Sequence, residues 1–140
     1  MTRRPYYGSD IIVTFDAARC LHAAECVRGL PAVFDTSRKP WVLPDAAAAD
    51  MVATVVRRCP TGALAYEAGR ERQGAAPELG PSPAQLRAVP DGPIWFHGQA
   101  VLVTAAGEEP VVRAALCRCG KTANAPHCDA SGPCTSWRGR

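Results

Sequence analysis

The sequence lacks an apolar run long enough to span a bilayer, and it lacks the hydrophobic stretch of a secretory signal peptide. It also carries little net charge: 16 basic and 13 acidic residues leave +3, too small a balance to argue for nucleic acid. No phosphate-binding loop, nucleophile–base pair or paired carboxylate site is evident. These absences predict a cytoplasmic protein that is not an enzyme and that binds neither membrane nor nucleic acid.

Cysteine, by contrast, is plentiful in this chain of 140 residues. The seven cysteines form two sets, which are Cys20, Cys26 and Cys59 in the first half and Cys117, Cys119, Cys128 and Cys134 in the second. Because disulfides are rare in the cytoplasm, so many cysteines indicate metal or redox chemistry. Packed thiolates repel one another unless a metal balances their charge.

The second set lies in a loop-like stretch, residues 117–129, which reads CRCGKTANAPHCD. Its order Cys-x-Cys-x2-Thr-x3-Pro-x-Cys-Asp resembles the CDGSH iron–sulfur motif of mitoNEET-type proteins. The resemblance implies a [2Fe-2S] cluster held by Cys117, Cys119 and Cys128. A zinc knuckle, a disulfide pair and a redox thiol are the alternatives, although Cys-x-Cys is an unusual spacing for zinc.

The fourth ligand of this cluster departs from the family pattern. The family uses a histidine where this chain has Gly132, so Cys134 and His127 are the nearby candidates. Adjacent side chains tend to point in different directions, which makes it awkward for His127 and Cys128 to reach one iron. Ala130 replaces a family glycine, and because alanine resists positive φ, the loop is expected to follow a changed path. We therefore favour Cys134.

The first cysteine set has the spacing of a ferredoxin. Cys20 and Cys26 are the first and third members of a Cys-x2-Cys-x2-Cys run, and Ala23 occupies the middle position. Cys59-Pro60 resembles the remote Cys-Pro segment that completes such a cluster. Together with PAVF at 31–34 and PWVLP at 40–44, this half resembles the divergent mono-cluster 4Fe-4S ferredoxin family, which occurs fused to a CDGSH unit.

This second resemblance implies an N-terminal cluster on Cys20, Cys26 and Cys59. Three thiolates can hold a [3Fe-4S] cluster, whereas a [4Fe-4S] cube needs a fourth ligand. His22 lies beside the vacant middle position and is one candidate; a solvated imidazole is its simpler interpretation. Three small buried core residues are the alternative for the cysteines themselves.

The hydrophobic pattern predicts an α+β protein of two small halves, an α/β half at 8–67 and an antiparallel β unit at 84–140, joined by a linker at 68–83. The resemblances imply that the first half is ferredoxin-like and that the second carries a CDGSH-type cluster loop. Residues 1–9 read as a loose lead-in, and a helical turn should run on to Leu30. A helix over 46–58, capped by Asp45, should bury Ala48, Met51, Val52, Val55 and Val56. Strands are expected at 11–15, 41–43, 64–66, 94–96, 101–103 and 111–112. Asp129 should cap a helical turn.

The two resemblances together imply one-electron transfer through two clusters of different type. Redox proteins such as a reductase or an oxidase would then be the partners. A module that delivers a labile [2Fe-2S] cluster to apo iron–sulfur acceptors, or that senses oxidation, is the first alternative. A zinc-stabilised interaction module is the second.

Overall fold

Two antiparallel sheets, each of three strands, organise the computed structural model, which describes residues 3–68 and 78–131. These residues divide into two compact units. The N-terminal unit holds residues 3–17, 22–59, 63–68 and 78, and the C-terminal unit holds residues 18–21, 60–62 and 79–131. The C-terminal unit therefore takes two short pieces from the first half of the chain, one that contains Cys20 and one that directly follows Cys59.

The N-terminal unit is a sheet in the order β1-β2-β3 with two helices. Its strands are β1 (Arg4–Tyr7), β2 (Ile11–Phe15) and β3 (Leu64–Ala68), and its helices are α1 (Glu25–Gly29) and α2 (Ala49–Val56). Alternation along β2 buries Ile11 and Val13, as period-two patterning requires. The core that they join is apolar throughout and comprises Tyr6, Ile11, Val13, Leu30, Val33, Phe34, Val42, Val52, Ala53, Val55, Val56 and Leu64.

Several predictions for this unit need correction. Residues 4–7 form a paired edge strand and not a loose lead-in, because Tyr6 packs into the core opposite Val13. The second helix begins at Ala49, after a 3₁₀ turn over Pro44–Ala46. Asp45 lies in that turn, and its Oδ1 accepts a hydrogen bond from the Ser9 N–H at 2.9 Å.

Two smaller expectations also failed in this half. Residues 41–43 form only an isolated bridge, between Val42 and Phe34. Ala48 and Met51 were expected on the buried stripe of the helix, but both are exposed, Met51 by 52%. Ala48 precedes the helix, and the buried face of the helix is formed by Val52, Ala53, Val55 and Val56, which leaves Met51 on the solvent side. The predicted strands at 11–15 and 64–66 are confirmed as β2 and β3.

The C-terminal unit is a sheet in the order β4-β5-β6. Its strands are β4 (Gln85–Ala88), β5 (Ile94–Thr104) and β6 (Gly107–Leu116). The runs predicted at 94–96 and 101–103 belong to one strand, which is interrupted by a register shift between His97 and Ala100. Gly98 lies at this shift with φ +149°, and a Cβ there would fall 2.4 Å from the Cβ of Ala84. Strand β4 was not predicted, because its four residues are all exposed and show no alternation.

This arrangement confirms the predicted α+β class: a small unit with helices precedes an antiparallel β unit. Strand β3 extends one residue into the predicted linker of 68–83, and residues 69–77 of that linker lie outside the described residues. Neither helix within residues 3–68 and 78–131 has the length and apolar character needed to cross a bilayer.

Candidate metal centres

The C-terminal cysteines are brought together by a loop that returns to the strand from which it departs. The Cys117 N–H donates to the Pro126 carbonyl at 2.8 Å, and the Cys128 N–H donates to the Ala115 carbonyl at 2.8 Å. These bonds surround an isolated bridge between Leu116 and His127. The return of the chain therefore sets Cys128 against the residues that precede Cys117.

The sulfur geometry of this loop suits a tetrahedral metal. The Sγ atoms of Cys117 and Cys119 lie 3.9 Å apart. Two sulfurs bound tetrahedrally at about 2.3 Å from one metal would be roughly 3.8 Å apart. Among the described residues, no group of three or more His, Cys, Asp or Glu side chains could hold a single metal ion. The Cys117–Cys119 pair thus has the separation of two thiolates on one metal, and Cys128 is the third thiol of the loop.

Backbone N–H groups surround the Cys117 sulfur. The Gly120 N–H donates to Sγ at 3.2 Å, and further donors are the N–H groups of Thr122 and Cys119. Burial works to raise the pKa of the Cys117 thiol, but these hydrogen bonds outweigh it and leave that pKa below its ordinary value. The loop is thus built to hold a thiolate, the form of cysteine that binds metal.

The third thiol is in a different environment. Cys128 is buried with Leu21 and Ala115. Burial raises the pKa of the Cys128 thiol, and the nearby charges of Cys117, Asp129 and Cys119 also raise it. Three sulfurs this close ionise together only when positive charge offsets their repulsion, so the donor set fits an iron–sulfur cluster. All six cysteines of the described ranges are thiols and not disulfides.

Side chains outside the ligand set pin the loop. The Thr122 hydroxyl donates to the His127 carbonyl at 2.6 Å and accepts from the Asn124 N–H at 3.1 Å. Asp129 was predicted to cap a helical turn; it accepts backbone N–H groups as expected, but those of the loop itself. The donors are Ala123 at 2.9 Å and Ser131 at 3.0 Å. The Ser131 hydroxyl and the Ala123 N–H lower the pKa of Asp129 to about 2.

The backbone at Ala130 differs from what was expected. Ala130 was expected to force a changed backbone path, because alanine resists positive φ. It nevertheless adopts φ +60°, the conformation that a glycine would take here. Cys134, the favoured ligand, and Gly132 lie outside the described residues.

The alternative ligand, His127, is already engaged. Its Nε2 lies 3.0 Å from Nη2 of Arg19 in a buried contact. A guanidinium can only donate, so Nε2 accepts and the imidazole is neutral with its proton on Nδ1. Neither ring nitrogen then has a lone pair available for iron, and ligation through either would require breaking the contact with Arg19.

In the first cysteine set, the helices position two members within the N-terminal unit. Cys26 lies in α1, and Cys59 follows the end of α2, where its N–H donates to the Val56 carbonyl at 3.0 Å. The helices contact one another at Gly29, where a Cβ would lie 3.4 Å from Val55. Cys20 belongs to the C-terminal unit. The assignment of Cys20, Cys26 and Cys59 as ligands stays a prediction.

Backbone strain concentrates at the cysteine loops. Four described residues other than glycine have positive φ, and three of them flank cysteines: His22 at +57°, Ala24 at +64° and Ala130 at +60°. Such conformations cost roughly 1–3 kcal/mol each and are typical of ligand-binding loops. His22 and Ala24 enclose the vacant middle position at Ala23. The His22 side chain is exposed.

The two units therefore define a protein with two cysteine-based iron–sulfur-type domains. The family described as divergent 4Fe-4S mono-cluster matches residues 6–69, and the iron-binding zinc finger of CDGSH type matches residues 91–131. The uncharacterized protein YjdI from Escherichia coli strain K12 is 44% identical over 63 residues, which cover 45% of this chain and 83% of that protein. The same protein from Escherichia coli O157:H7 matches to the same extent. No solved structure matches the chain significantly.

The chain belongs to the divergent 4Fe-4S mono-cluster family, and it carries a CDGSH-type domain at its C-terminal end. Both predicted resemblances are confirmed. The ion pair between Arg19 and Glu109, at 2.8 Å inside the C-terminal unit, was not predicted from the sequence. The one available signal was the position of Arg19, directly before Cys20. No sequence spacing connects Arg19 to its partners Glu109 and His127, which follow it by 90 and 108 positions.

Proposed function

We propose that this protein is a cytoplasmic electron carrier with two clusters, a [2Fe-2S] on Cys117, Cys119, Cys128 and Cys134 and a [3Fe-4S] or [4Fe-4S] on Cys20, Cys26 and Cys59. The observation that carries the proposal is the presence of two iron–sulfur-type domains in one chain, with Cys20, Cys26 and Cys59 inside the first and Cys117, Cys119 and Cys128 inside the second. A bound cluster supplies one-electron oxidation and reduction. The proposal includes no catalytic residue.

The C-terminal loop suits this role because it is held before any partner arrives. The N–H groups directed at the Cys117 sulfur and the bonds made by Thr122 and Asp129 fix its path. Hydrogen bonds to ligand sulfurs are one means by which a protein sets a cluster's reduction potential. A loop fixed in this way needs little rearrangement when the charge of the site changes.

The surface beside the cluster ligands offers a partner access. Cys117 and Cys119 are only partly buried, and the side chains of Arg118 and Lys121 are exposed. An acidic face on a reductase or oxidase would complement these two cations. Encounters of this kind are typically small in area and short-lived.

The same partial exposure favours cluster delivery as a second candidate function. A cluster whose ligands reach solvent can be attacked by the thiols of an apo acceptor. The two functions differ in which event is faster. Stopped-flow reduction by a small donor, compared with transfer to an apo ferredoxin, separates them: electron exchange that is slower than transfer favours delivery.

The test of the main proposal is anaerobic purification with iron and sulfide analysis and electron spin resonance in both redox states. We expect two distinct signals, one assigned to each cysteine set by Cys119→Ser and Cys59→Ser variants. Zinc without iron or sulfide would contradict the proposal and indicate a structural zinc module. One signal that disappears in both variants would show that the chain holds one cluster only.

A further inference from the structure

A buried arginine in the C-terminal unit contacts two other side chains of that unit. The side chain of Arg19 is 2% exposed, and its Nη2 lies 2.8 Å from Glu109 Oε2 and 3.0 Å from His127 Nε2. A buried guanidinium is costly unless it is paired, so Arg19, Glu109 and His127 act as one unit. His127 directly precedes the ligand Cys128, and Arg19 directly precedes Cys20.

The residues on both sides of Arg19 are also anchored in this unit. We call residues 18–21 the strap. At one end the Asn124 side chain donates to the Ala18 carbonyl at 2.9 Å. At the other end Leu21 is buried against Ala115 and Cys128. Cys20 is therefore held between two anchored neighbours, and each anchor involves the cluster loop.

A second segment next to a cysteine approaches the same arginine. Gly62 has φ +73°, and a Cβ there would lie 2.2 Å from the carbonyl oxygen of Arg113 and 3.7 Å from Nη1 of Arg19. Only glycine permits this approach to β6. The stretch after Cys59 is thus fixed on the strand whose residue Glu109 pairs with Arg19.

We propose that Arg19 is a positioning residue shared by the two cysteine sets: through His127 it fixes the loop that carries Cys128, and through the strap it fixes Cys20. This inference rests on the proposed function, because Cys20 and Cys128 are taken there as ligands of different clusters. Its consequence is that the two clusters are assembled interdependently. Weakening the anchor of the strap disturbs both cysteine sets.

The charges of Arg19 and Glu109 should affect the reduction potential of the C-terminal cluster in opposite directions. Arg19→Gln leaves the Glu109 carboxylate near the C-terminal cluster without its partner, so reduction becomes harder and the potential falls. Glu109→Gln removes one negative charge beside Arg19, so the potential rises. A purely structural role would instead shift both variants in the same direction. Glu108→Gln, an exposed neighbour on β6, and Arg87→Gln, an exposed arginine on β4, are the matched controls.

The experiment uses the full-length protein as purified anaerobically. Redox titration of the C-terminal cluster gives the two potentials, and iron per protein with spin resonance gives the occupancy of each cluster. We expect opposite shifts in the Arg19 and Glu109 variants, no shift in either control, and lower occupancy of both clusters in Arg19→Gln, with enough C-terminal cluster left to titrate. Shifts in one direction, or an N-terminal signal that is unchanged in Arg19→Gln, overturn the inference.

Hydrogen exchange keeps the test independent of the cofactors. In the wild type, the amides of residues 18–21 should exchange slowly, and Arg19→Gln should accelerate them at least tenfold. Asn124→Ala removes the exposed hydrogen bond to the Ala18 carbonyl, so it should accelerate exchange of these amides less. This variant replaces Arg19→Gln in the test if Arg19→Gln fails to fold. Unchanged exchange in both variants contradicts the inference. A wild-type protein that contains no iron refutes the proposed function. The hydrogen-exchange rates of residues 18–21 still test whether Arg19 anchors the strap.

Discussion

The two cysteine sets differ in how far apart their members lie along the chain. The described members of the C-terminal set fall within one loop of 12 residues, 117–128, whereas the N-terminal set extends from Cys20 to Cys59. In the compact set, local hydrogen bonds such as that from Gly120 to the Cys117 sulfur shape the site. In the dispersed set, each cysteine depends on a different element: the strap, α1 and the end of α2.

The comparison shows that a compact motif contains most of its own support, while a dispersed one takes its support from elsewhere. The loop of residues 117–131 holds itself through Thr122 and Asp129. Cys20 is held by neighbours anchored to Asn124 and His127, which are more than a hundred residues away in sequence. Perturbations of the two sets should therefore differ in how far their effects reach.

The largest effect is expected at the end of the compact motif. Cys134→Ala should abolish the [2Fe-2S] signal, because a cluster with three ligands loses iron. His127→Gln should keep the signal, since a glutamine oxygen can still accept from Arg19. Four thiolates make an oxidised cluster more negative by one charge than three thiolates and an imidazole, so the potential should lie on the order of 100 mV below that of a His-ligated relative.

The two variants are compared after anaerobic reconstitution by visible and spin-resonance spectra. A Cys134→Ala protein with an unshifted spectrum, together with a His127→Gln protein that has lost it, would make the imidazole the ligand. That result would also require the Arg19 contact to open when iron binds.

The second prediction concerns Gly62, which fixes the stretch after Cys59 against strand β6. Gly62→Ala places a methyl group against the Arg113 carbonyl and also strains a residue at φ +73°, so it should destabilise the fold by about 2–4 kcal/mol. Gly120→Ala is the control, because Gly120 has φ +80° but its added methyl group would meet no atom within 4 Å. Its cost should be only that of the backbone conformation, about 1 kcal/mol.

Urea unfolding of both variants measures the difference. Equal destabilisation in Gly62→Ala and Gly120→Ala would mean that the backbone moves away from the Arg113 carbonyl without a loss of folding free energy. The N-terminal cluster should also be lost more readily in Gly62→Ala than in the control.

A third prediction concerns the vacant middle position of the dispersed set. Ala23→Cys should convert an N-terminal cluster that loses iron in air into a stable [4Fe-4S] cube, because the fourth iron gains a thiolate. Iron counts and spin resonance before and after air exposure measure the change. A wild-type protein that already holds an air-stable [4Fe-4S] cluster, with a signal unchanged in His22→Ala, would contradict this prediction. It would show that the fourth iron is held firmly without a thiolate at position 23.

Features that depend on residues close together in the sequence were predictable, and contacts between distant residues were not. The strands β2 and β3 and the class of the fold were predictable, because β2 shows alternation within a few residues and β3 is a short apolar run. The role of Thr122 as a loop residue was visible in the motif. The contacts of Arg19 were not, because a buried ion pair between residues 90 apart leaves no periodic signal. The positive φ of Ala130 was missed for a different reason: a general preference of alanine was outweighed by the hydrogen bonds of Asp129 and Ser131 beside it.

The smallest expected effect compares one local motif that occurs in both units. Asp35 and Asp129 each accept the N–H and the hydroxyl of the serine two residues on: Ser37 at 2.9 and 2.6 Å, and Ser131 at 3.0 and 2.6 Å. Both pKa values are lowered, chiefly by the serine hydroxyl. Asp129 in addition accepts the Ala123 N–H across the cluster loop at 2.9 Å, which takes its pKa to about 2.

Carboxyl NMR titration should therefore find Asp129 more acidic than Asp35, and Ser131→Ala should raise the pKa of Asp129 toward the ordinary value of about 3.9. Because the pKa of Asp129 is depressed by folding, its contribution to loop stability is fully present above the ordinary value and is lost as the pH falls through about 2. Ser37→Ala, the matched change in the N-terminal unit, should raise the pKa of Asp35 and leave that of Asp129 unaltered. Equal pKa values for the two wild-type carboxyls would show that the Ala123 bond across the loop does not form, and that the compact motif is less self-supporting than its hydrogen bonds indicate.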